Sequence, residues 1–281
     1  MNKTELSRRF STLSSENYLI SSDFSELVSF FIIAIELNIS LLIIDGINRS
    51  ERDRIVNETQ NNSFDLLSPE DLFFPLIEKY STQKERYKHF KQKFYSLAEN
   101  QLVIGTRITL DEQNIPNLKK KLADSRKKFD IVSIKLTNEK IAKWAAHDGR
   151  VDYLSIDTER SKVVDPALCS LVKQYNKCFE IPFHSFLLNK DQKSLSNYLR
   201  NGRKIFSVLD SCKAPYIFCM KPLSPYQLRN GYHLRHIGAF LGSSFNKSKK
   251  SIFDLQLNTL SDNLTRFHSG YIFNGVEEVS Q

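Results

Sequence analysis

Short runs rich in Ile, Val, Leu, Phe and Tyr recur along the chain, and most of them are separated by enough residues for one helix and two loops. The candidate strands are Tyr18–Ser21, Leu41–Ile44, Val103–Leu110, Asp130–Ile134, Tyr153–Ile156, Cys178–Phe183 and Tyr216–Met220. Parallel strands need a long crossover between them, so this alternation predicts an α/β fold with a parallel sheet. The tail Gly270–Val276 is a candidate eighth strand.

The interval between Ile44 and Val103 is much longer than the others, and it is polar over residues 48–68 before an amphipathic stretch over 70–97. An excursion of this size distorts a regular barrel. We therefore expect an irregular TIM-like (β/α) barrel, with an open doubly wound sheet as the rival architecture.

Capping sequences predict where several helices begin, because the first N–H groups of a helix need an acceptor side chain. The predicted N-caps are Asp23, Ser68, Asp165 and Ser224, each followed by Pro at the first helical position or by Glu or Gln at the third. Gly242 is expected to end the last of these helices.

The composition favours a single folded domain. An apolar fraction of 41% with 20 Phe and 11 Tyr excludes disordered and disulfide-stapled chains. No repeat and no Pro- or Gly-rich linker divides the sequence, so we expect one barrel domain over residues 1–281. It would carry an N-terminal extension (1–16) and a C-terminal helix and tail (243–281).

The cysteine spacing and the N-terminus indicate an intracellular chain. The four cysteines match neither zinc-ligand nor redox-motif spacing, which predicts reduced thiols. The first residues lack the apolar core of a signal peptide. Glu36 and Asn38 interrupt the apolar run Leu27–Ile44, so we expect a buried helix and strand there, a cytoplasmic location and no membrane contact.

The positive charge is concentrated in one part of the sequence. The chain has 40 Lys and Arg against 32 Asp and Glu, a net charge of +8. No carboxylate lies between Asp210 and Asp254, where seven bases occur: Lys213, Lys221, Arg229, Arg235, Lys247, Lys249 and Lys250. Such a distribution is typical of a surface that binds a polyanion.

The helix predicted over Lys193–Leu209 has an apolar stripe and an opposite basic face formed by Lys193, Arg200, Arg203 and Lys204. A basic face of this spacing suits contact with phosphates, although a solvated helix face has the same pattern. The runs Lys119–Lys121 and Arg126–Lys128 are interrupted by acids and are more typical of solvated helices. The helix start predicted at Ser224 is a candidate anion site.

Catalytic motifs are largely missing. The first predicted strand lacks the His-x-His of metal-dependent phosphoesterase barrels, and no nucleophile-elbow, P-loop or dinucleotide motif occurs. His233 and His236 have no acidic neighbour with which to form a zinc site. An alternative remains in which His184, Asp157 and Asp45, at the ends of predicted strands, converge as an unusual metal-ligand set in a stand-alone phosphoesterase or amidohydrolase.

Four segments together carry a family resemblance: Arg107–Leu110, Phe129–Ile134 followed by Val151–Asp157, Asn197–Arg203, and Ser224–Arg229. They resemble protein component 3 of archaeal ribonuclease P, the family of the thirty-kilodalton eukaryotic subunit. The resemblance runs from about Ser21 to about Gly242. Two features depart from the family. The family begins almost directly with its first strand, whereas residues 1–16 precede it here, and Met220-Lys221-Pro222 replaces a Ser-Gly-Ala turn.

The resemblance implies an irregular TIM-like barrel of the PHP metal-dependent phosphoesterase type that lacks the metal ligands. It also implies a non-catalytic protein subunit of an RNA-based endonuclease that removes 5′ leaders from precursor tRNA. The expected partners are the catalytic RNA, a small protein subunit and, through the complex, precursor tRNA. Mg²⁺ would act on the RNA, and the chain itself would bind no cofactor.

We expect RNA contacts first from Lys193, Arg200, Arg203, Lys204, Lys221 and Arg229, and second from Arg107 and His184. A module that binds another RNA or an acidic protein would have the same charge pattern.

Overall fold

The computed structural model describes residues 24–59, 64–156, 163–184, 191–268, 271–273 and 276–277. The strands of the main sheet are β1 (Leu41–Asp45), β2 (Asp65–Leu67), β3 (Gln101–Leu110), β4 (Ile131–Leu136), β5 (Tyr153–Ile156), β6 (Cys178–Pro182) and β7 (Tyr216–Cys219). A separate antiparallel pair is formed by β8 (Tyr271–Phe273) and β9 (Val276–Glu277).

The first helices are α1 (Phe24–Glu36), α2 (Arg49–Glu58), α3 (Pro69–Lys79), α4 (Gln83–Tyr95), α5 (Ile115–Arg126), α6 (Glu139–His147) and α7 (Pro166–Gln174). They are followed by α8 (Gln192–Ser211), α9 (Gly231–Phe240), α10 (Phe245–Lys249) and α11 (Leu255–Phe267). A 3₁₀ turn (Pro225–Gln227) precedes α9, and a π-helical turn (Lys250–Asp254) precedes α11.

The main sheet is parallel, and its strand order follows the chain: β1, β3, β4, β5, β6, β7, with β2 paired to the start of β3. A doubly wound sheet reverses its strand order at a switch point, and this sheet has no such reversal among the described strands. The crossovers therefore wind in one direction and curl the sheet into a half-barrel. The prediction of an irregular TIM-like α/β barrel is confirmed.

The two sides of the sheet bury different sets of side chains, because successive residues of a strand point to opposite faces. On the outer side, Leu42, Ile44 and Ile104 pack against α1, and α5 to α8 cover the later strands. On the concave side, the first residues of the strands, such as Val103 and Ile131, form an apolar layer with α3, α4 and α11. Helices α3, α4 and α11 thus cover one mouth of the half-barrel.

Most of the predicted strands are confirmed to within two residues. The candidate Tyr18–Ser21 and the N-cap Asp23 lie outside the described residues. The three-residue strand β2 was not predicted, and the tail forms a strand that pairs with β9 rather than with the main sheet. The run Leu27–Ile44 forms a helix and a strand as predicted. The strand is fully buried, but the helix is buried on one side only, with Ile32 43% exposed on the other. None of the described helices is long and apolar enough to cross a membrane.

The predicted caps are confirmed at Ser68 and Asp165, whose side chains accept hydrogen bonds from the backbone of α3 and α7. The prediction at Ser224 is wrong. Gln227 Oε1 accepts from Leu223 N at 2.6 Å instead of from Ser224, and only a 3₁₀ turn follows. Helix α9 begins later, capped by Asn230, and Gly242 follows its end with φ at +108° as predicted.

Candidate nucleic-acid interface

A layer of polar side chains lies on the concave face at the carboxyl ends of the strands, where TIM-like barrels place their active sites. Arg107 of β3 and Glu180 of β6 form a two-pronged ion pair, with Nη2 donating to Oε2 at 2.9 Å and Nη1 donating to Oε1. On a flat sheet these strands would be about 14 Å apart, so the pair spans the concave side of the curl. Ser133 Oγ also donates to Glu180 Oε2, at 3.2 Å.

Lys221 adds a second cation to this layer. Its Nζ lies 3.6 Å from Glu180 Oε2 and donates to Ser155 Oγ at 3.2 Å. The backbone of Lys221 has φ at +47°, a left-handed conformation that favours glycine. Lys221 holds this conformation although it has a Cβ, and its side chain places an amine inside the half-barrel.

The charges of this layer compensate one another. Burial disfavours the Glu180 carboxylate, but the charges of Arg107 and Lys221 outweigh it and hold the pKa of Glu180 well below its usual range. Burial likewise opposes the charge of Arg107, and Glu180 and Asp45 more than offset it, so its pKa is raised above the usual range. Arg107 is only 3% exposed, which places it inside the barrel rather than on an outer surface.

The alternative metal-ligand set is not assembled in the described part of the chain. Asp45 accepts hydrogen bonds from Thr109 N at 2.9 Å and from Thr109 Oγ1, and it lies 3.6 Å from Arg107 Nε. Asp157 lies outside the described residues. Among those described, no three His, Cys, Asp or Glu side chains are grouped to hold a metal ion.

Helix α8 presents the basic face that the sequence predicted. Its N-cap Asp191 accepts from Ser194 N at 2.8 Å, and Tyr198, Gly202 and Phe206 are among the residues it buries against the barrel. Lys193, Arg200, Arg203 and Lys204 are all exposed on the other side. No ion pair joins these four side chains to a described carboxylate, so their positive charge faces solvent.

Helix α9 contributes exposed rings that the sequence analysis missed. Tyr232 is 58% and Phe240 54% exposed, and His236 lies between them at a spacing of four residues. The Tyr232 and His236 rings meet edge to face with centroids 4.4 Å apart. In the sequence, only the four-residue spacing marks these rings as a set. Aromatic residues are often buried, so their exposure could not be predicted.

Helix α8 and the end of α9 are in contact. A Cβ added at Gly202 of α8 would come within 3.1 Å of the Leu241 side chain, which follows α9 and packs against this glycine. The Arg203 guanidinium lies over the Phe240 ring, 5.7 Å from its centroid. The basic face of α8 and the exposed rings of α9 therefore meet at Arg203 and Phe240.

The remaining predicted residues are Arg229, which precedes α9, and His184, which follows β6. Arg229 is half-buried, and its Nη1 donates to the carbonyls of Tyr226 and Leu228 at 2.8 and 2.7 Å. His184 is half-buried just beyond β6. The anion site expected at Ser224 is wrong, because no α-helix starts there.

A separate cleft of about 870 Å³ lies beside α2 and α3, lined by Arg49, Glu70, Lys127 and Lys128 among others. At its base, buried Arg52 lies 3.2 Å from Asp130 Oδ2 and 2.8 Å from Glu70 Oε2. Burial and the Glu70 carboxylate raise the pKa of Asp130 to about 6. Cations and carboxylates alternate here, which gives the cleft no single sign of charge.

Comparison with known proteins identifies relatives of the whole described barrel. A family model described as RNase P subunit p30 matches residues 21–268. A chain in the cryo-EM structure of archaeal ribonuclease P with mature tRNA is 20% identical, with a TM-score of 0.57 over 86% of this chain and 98% of that one. None of the curated proteins matches this chain.

Two further solved structures are more distant. The crystal structure of an uncharacterised protein is 9% identical, with a TM-score of 0.49 over 96% of this chain and 78% of that one. The crystal structure of a Xaa-Pro dipeptidase with bound methionine in the active site is 10% identical, with a TM-score of 0.48 over 90% and 75%.

Proposed function

This chain belongs to the RNase P subunit p30 family, and we propose that it binds the catalytic RNA of ribonuclease P and stabilises the shape in which that RNA removes 5′ leaders from precursor tRNA. In this proposal the RNA and its Mg²⁺ ions perform the hydrolysis, and no side chain of this protein is a general acid or base. A small protein subunit and precursor tRNA would join it in the complex.

The exposed basic face of α8 is the observation that carries the proposal. Lys193, Arg200, Arg203 and Lys204 face solvent on a rigid helix, and the chain has a net charge of +8. Lys and Arg that neutralise phosphates release condensed counterions, which is the main sequence-independent source of affinity for RNA. We assign the main phosphate contacts to these four residues, and we keep Arg229, which precedes α9, as a further candidate.

The concave face supports a non-catalytic role for the chain. Arg107, Glu180 and Lys221 neutralise one another at the carboxyl ends of the strands. We therefore leave Arg107 out of the proposed RNA interface and give it a structural role. Lys221 is partly exposed and His184 half-buried, so both remain candidates for contact at the rim of the barrel.

The direct test is cleavage of precursor tRNA by the native complex isolated with this chain, before and after digestion with micrococcal nuclease. Loss of 5′-leader cleavage after the RNA is destroyed supports the proposal. Cleavage that survives digestion, with one or two metal ions bound per chain, would contradict it and identify the barrel itself as the catalyst.

A binding measurement tests the assignment to α8. Replacing Arg200 and Lys204 with Ala should reduce the slope of log affinity against log salt by about 0.7 for each phosphate of a single-stranded RNA that is no longer neutralised, while folding is preserved. Lys119 and Lys120 of α5 are also exposed, so the Lys119→Ala, Lys120→Ala variant removes the same charge elsewhere. Equal slopes for the two variants would remove α8 from the interface.

A further inference from the structure

The exposed rings of α9 reach the basic face of α8 at Phe240, and their chemistry differs from that of a phosphate-binding surface. Tyr232, His236 and Phe240 follow one another at four-residue intervals, and we call them the ring stripe. Residues four apart lie on one side of a helix, about 6 Å apart along its axis. The ring stripe therefore extends along α9 in solvent instead of entering the core.

From this geometry we propose that the ring stripe binds unpaired nucleotides of the RNA by stacking their bases. The inference rests on the proposed function, because it concerns the same RNA partner. Proteins that bind single-stranded RNA combine a cationic track for the backbone with aromatic side chains on which successive bases stack. Both components are present on α8 and α9.

The positions of the groups match the parts of a nucleotide. Arg203 lies over the Phe240 ring with 5.7 Å between its guanidinium carbon and the ring centroid. A phosphate-binding cation and a stacking ring thus stand next to each other, as the phosphate and the base of one nucleotide do. Arg200 and Lys204 extend the cationic track along α8.

The ring stripe is also held in place before RNA binds. The edge-to-face contact between Tyr232 and His236 restricts the rotation of both rings. Gly238 lies on the buried side of α9, where a Cβ would come within 2.6 Å of the Phe218 ring, so the helix is seated directly on the sheet. A preorganised surface loses less conformational entropy when it binds.

The charges favour RNA over a protein partner. Lysine is depleted from protein interfaces, whereas Lys193 and Lys204 belong to the basic face of α8 and the segment between Asp210 and Asp254 contains no carboxylate. Double-stranded RNA keeps its bases stacked inside the helix, so only unpaired nucleotides can use the rings.

The test compares two RNA probes with the full chain. One is single-stranded oligoadenylate of about 12 nucleotides carrying a fluorescent adenine analogue, a length within the range of single-strand binding sites. The other is the same strand paired with oligouridylate. The variant carries Tyr232→Leu and Phe240→Leu. Leucine keeps the side chains apolar but removes the aromatic faces. Thermal unfolding verifies that the variant is folded.

We expect this variant to bind the single strand about thirtyfold or more weakly, because each of the two rings contributes about fivefold or more by base stacking. Quenching of the adenine analogue should disappear, while affinity for the duplex and the salt slope stay unchanged. The Tyr175→Leu variant is the matched control, because Tyr175 is an exposed ring that follows α7, outside the ring stripe.

The outcomes separate this inference from the proposed function. If Arg200→Ala with Lys204→Ala flattens the salt slope but the ring-stripe variant binds the single strand normally, stacking is overturned and the proposed function stands. Loss of a protein subunit from the isolated complex with normal RNA affinity would overturn stacking in favour of protein docking. If the wild-type chain binds neither probe, both ideas fail.

Discussion

Lys221 keeps a left-handed backbone although it is not a glycine, and its amine reaches Glu180 and Ser155. For a residue with a Cβ this region costs about 1–2 kcal/mol. Comparing Lys221→Gly with Lys221→Ala isolates that cost, because both variants lose the amine. We expect the glycine variant to be more stable than the alanine variant by about 1 kcal/mol in urea unfolding. Equal stabilities would show that the turn is not strained.

Glu180 compensates two cations within the barrel. Glu180→Gln leaves Arg107 buried with reduced compensation, and we expect the free energy of unfolding to fall by about 3–5 kcal/mol. The variant that carries Arg107→Met and Glu180→Leu removes both charges and should recover much of this loss in the same denaturation experiment. A double variant as unstable as the single one would contradict a charge-compensating role.

The pH dependence of stability should report on Asp130. Burial and Glu70 raise the pKa of Asp130 to about 6, above an unfolded value of about 3.9. Between these two pH values the folded state binds more protons at Asp130 than the unfolded state does. The contribution of Asp130 to stability therefore decreases as pH rises from about 4 to about 6.

Asp130→Asn cannot titrate and serves as the reference for this window. The stability of the wild type relative to Asp130→Asn should fall by up to about 3 kcal/mol between those pH values, measured by urea unfolding at each pH. A difference that stays constant or grows with pH would refute the raised pKa.

At the scale of helices and strands, packing between α9 and the sheet fixes the position of the ring stripe. A Cβ at Gly238 would lie 2.6 Å from the buried Phe218 ring, so Gly238→Ala forces the helix or the ring to move. Overpacking of this kind costs about 1–3 kcal/mol, more than the helix propensity gained by alanine. Thermal unfolding should show the loss, while Gly149→Ala, with nothing within 4 Å of the new methyl, should be neutral.

The elements were predictable where their signals are local. Buried runs identified β1 and β3 to β7, and the side chains of Ser68 and Asp165 marked helix starts because caps depend on adjacent residues. The same logic failed at Ser224, where Gln227 reaches Leu223 instead. Strand β2 has only three residues, too few for a periodic signal.

The candidate interface was only partly predictable for a related reason. The basic face of α8 follows from helical periodicity within one segment, so its four cations were identified. The pairing of Arg107 with Glu180 joins positions 73 residues apart and depends on the curl of the sheet. The exposure of Tyr232 and Phe240 depends on which side of α9 meets the barrel, and sequence hydrophobicity alone assigns such rings to the core.

At the scale of the whole molecule, the half-barrel depends on α11 for closure of its apolar mouth. Leu260 is fully buried in the layer that joins α3, α4 and α11 to the first residues of the strands. Asn263 of the same helix donates to the Asp130 carbonyl at 2.9 Å, which ties α11 to the start of β4. Helix α11 thus supplies apolar side chains that cover the mouth of the half-barrel, which the curled sheet alone leaves open.

Leu260→Ala should therefore destabilise the entire barrel by about 2–5 kcal/mol, because a cavity opens among side chains from several elements. Asn258→Ala changes an exposed residue of the same helix and should cost little. Hydrogen exchange should show strands β3 to β7 losing protection together in Leu260→Ala, since they share this layer. If only α11 lost protection while the strands kept theirs, the half-barrel would be stable without its closing helix.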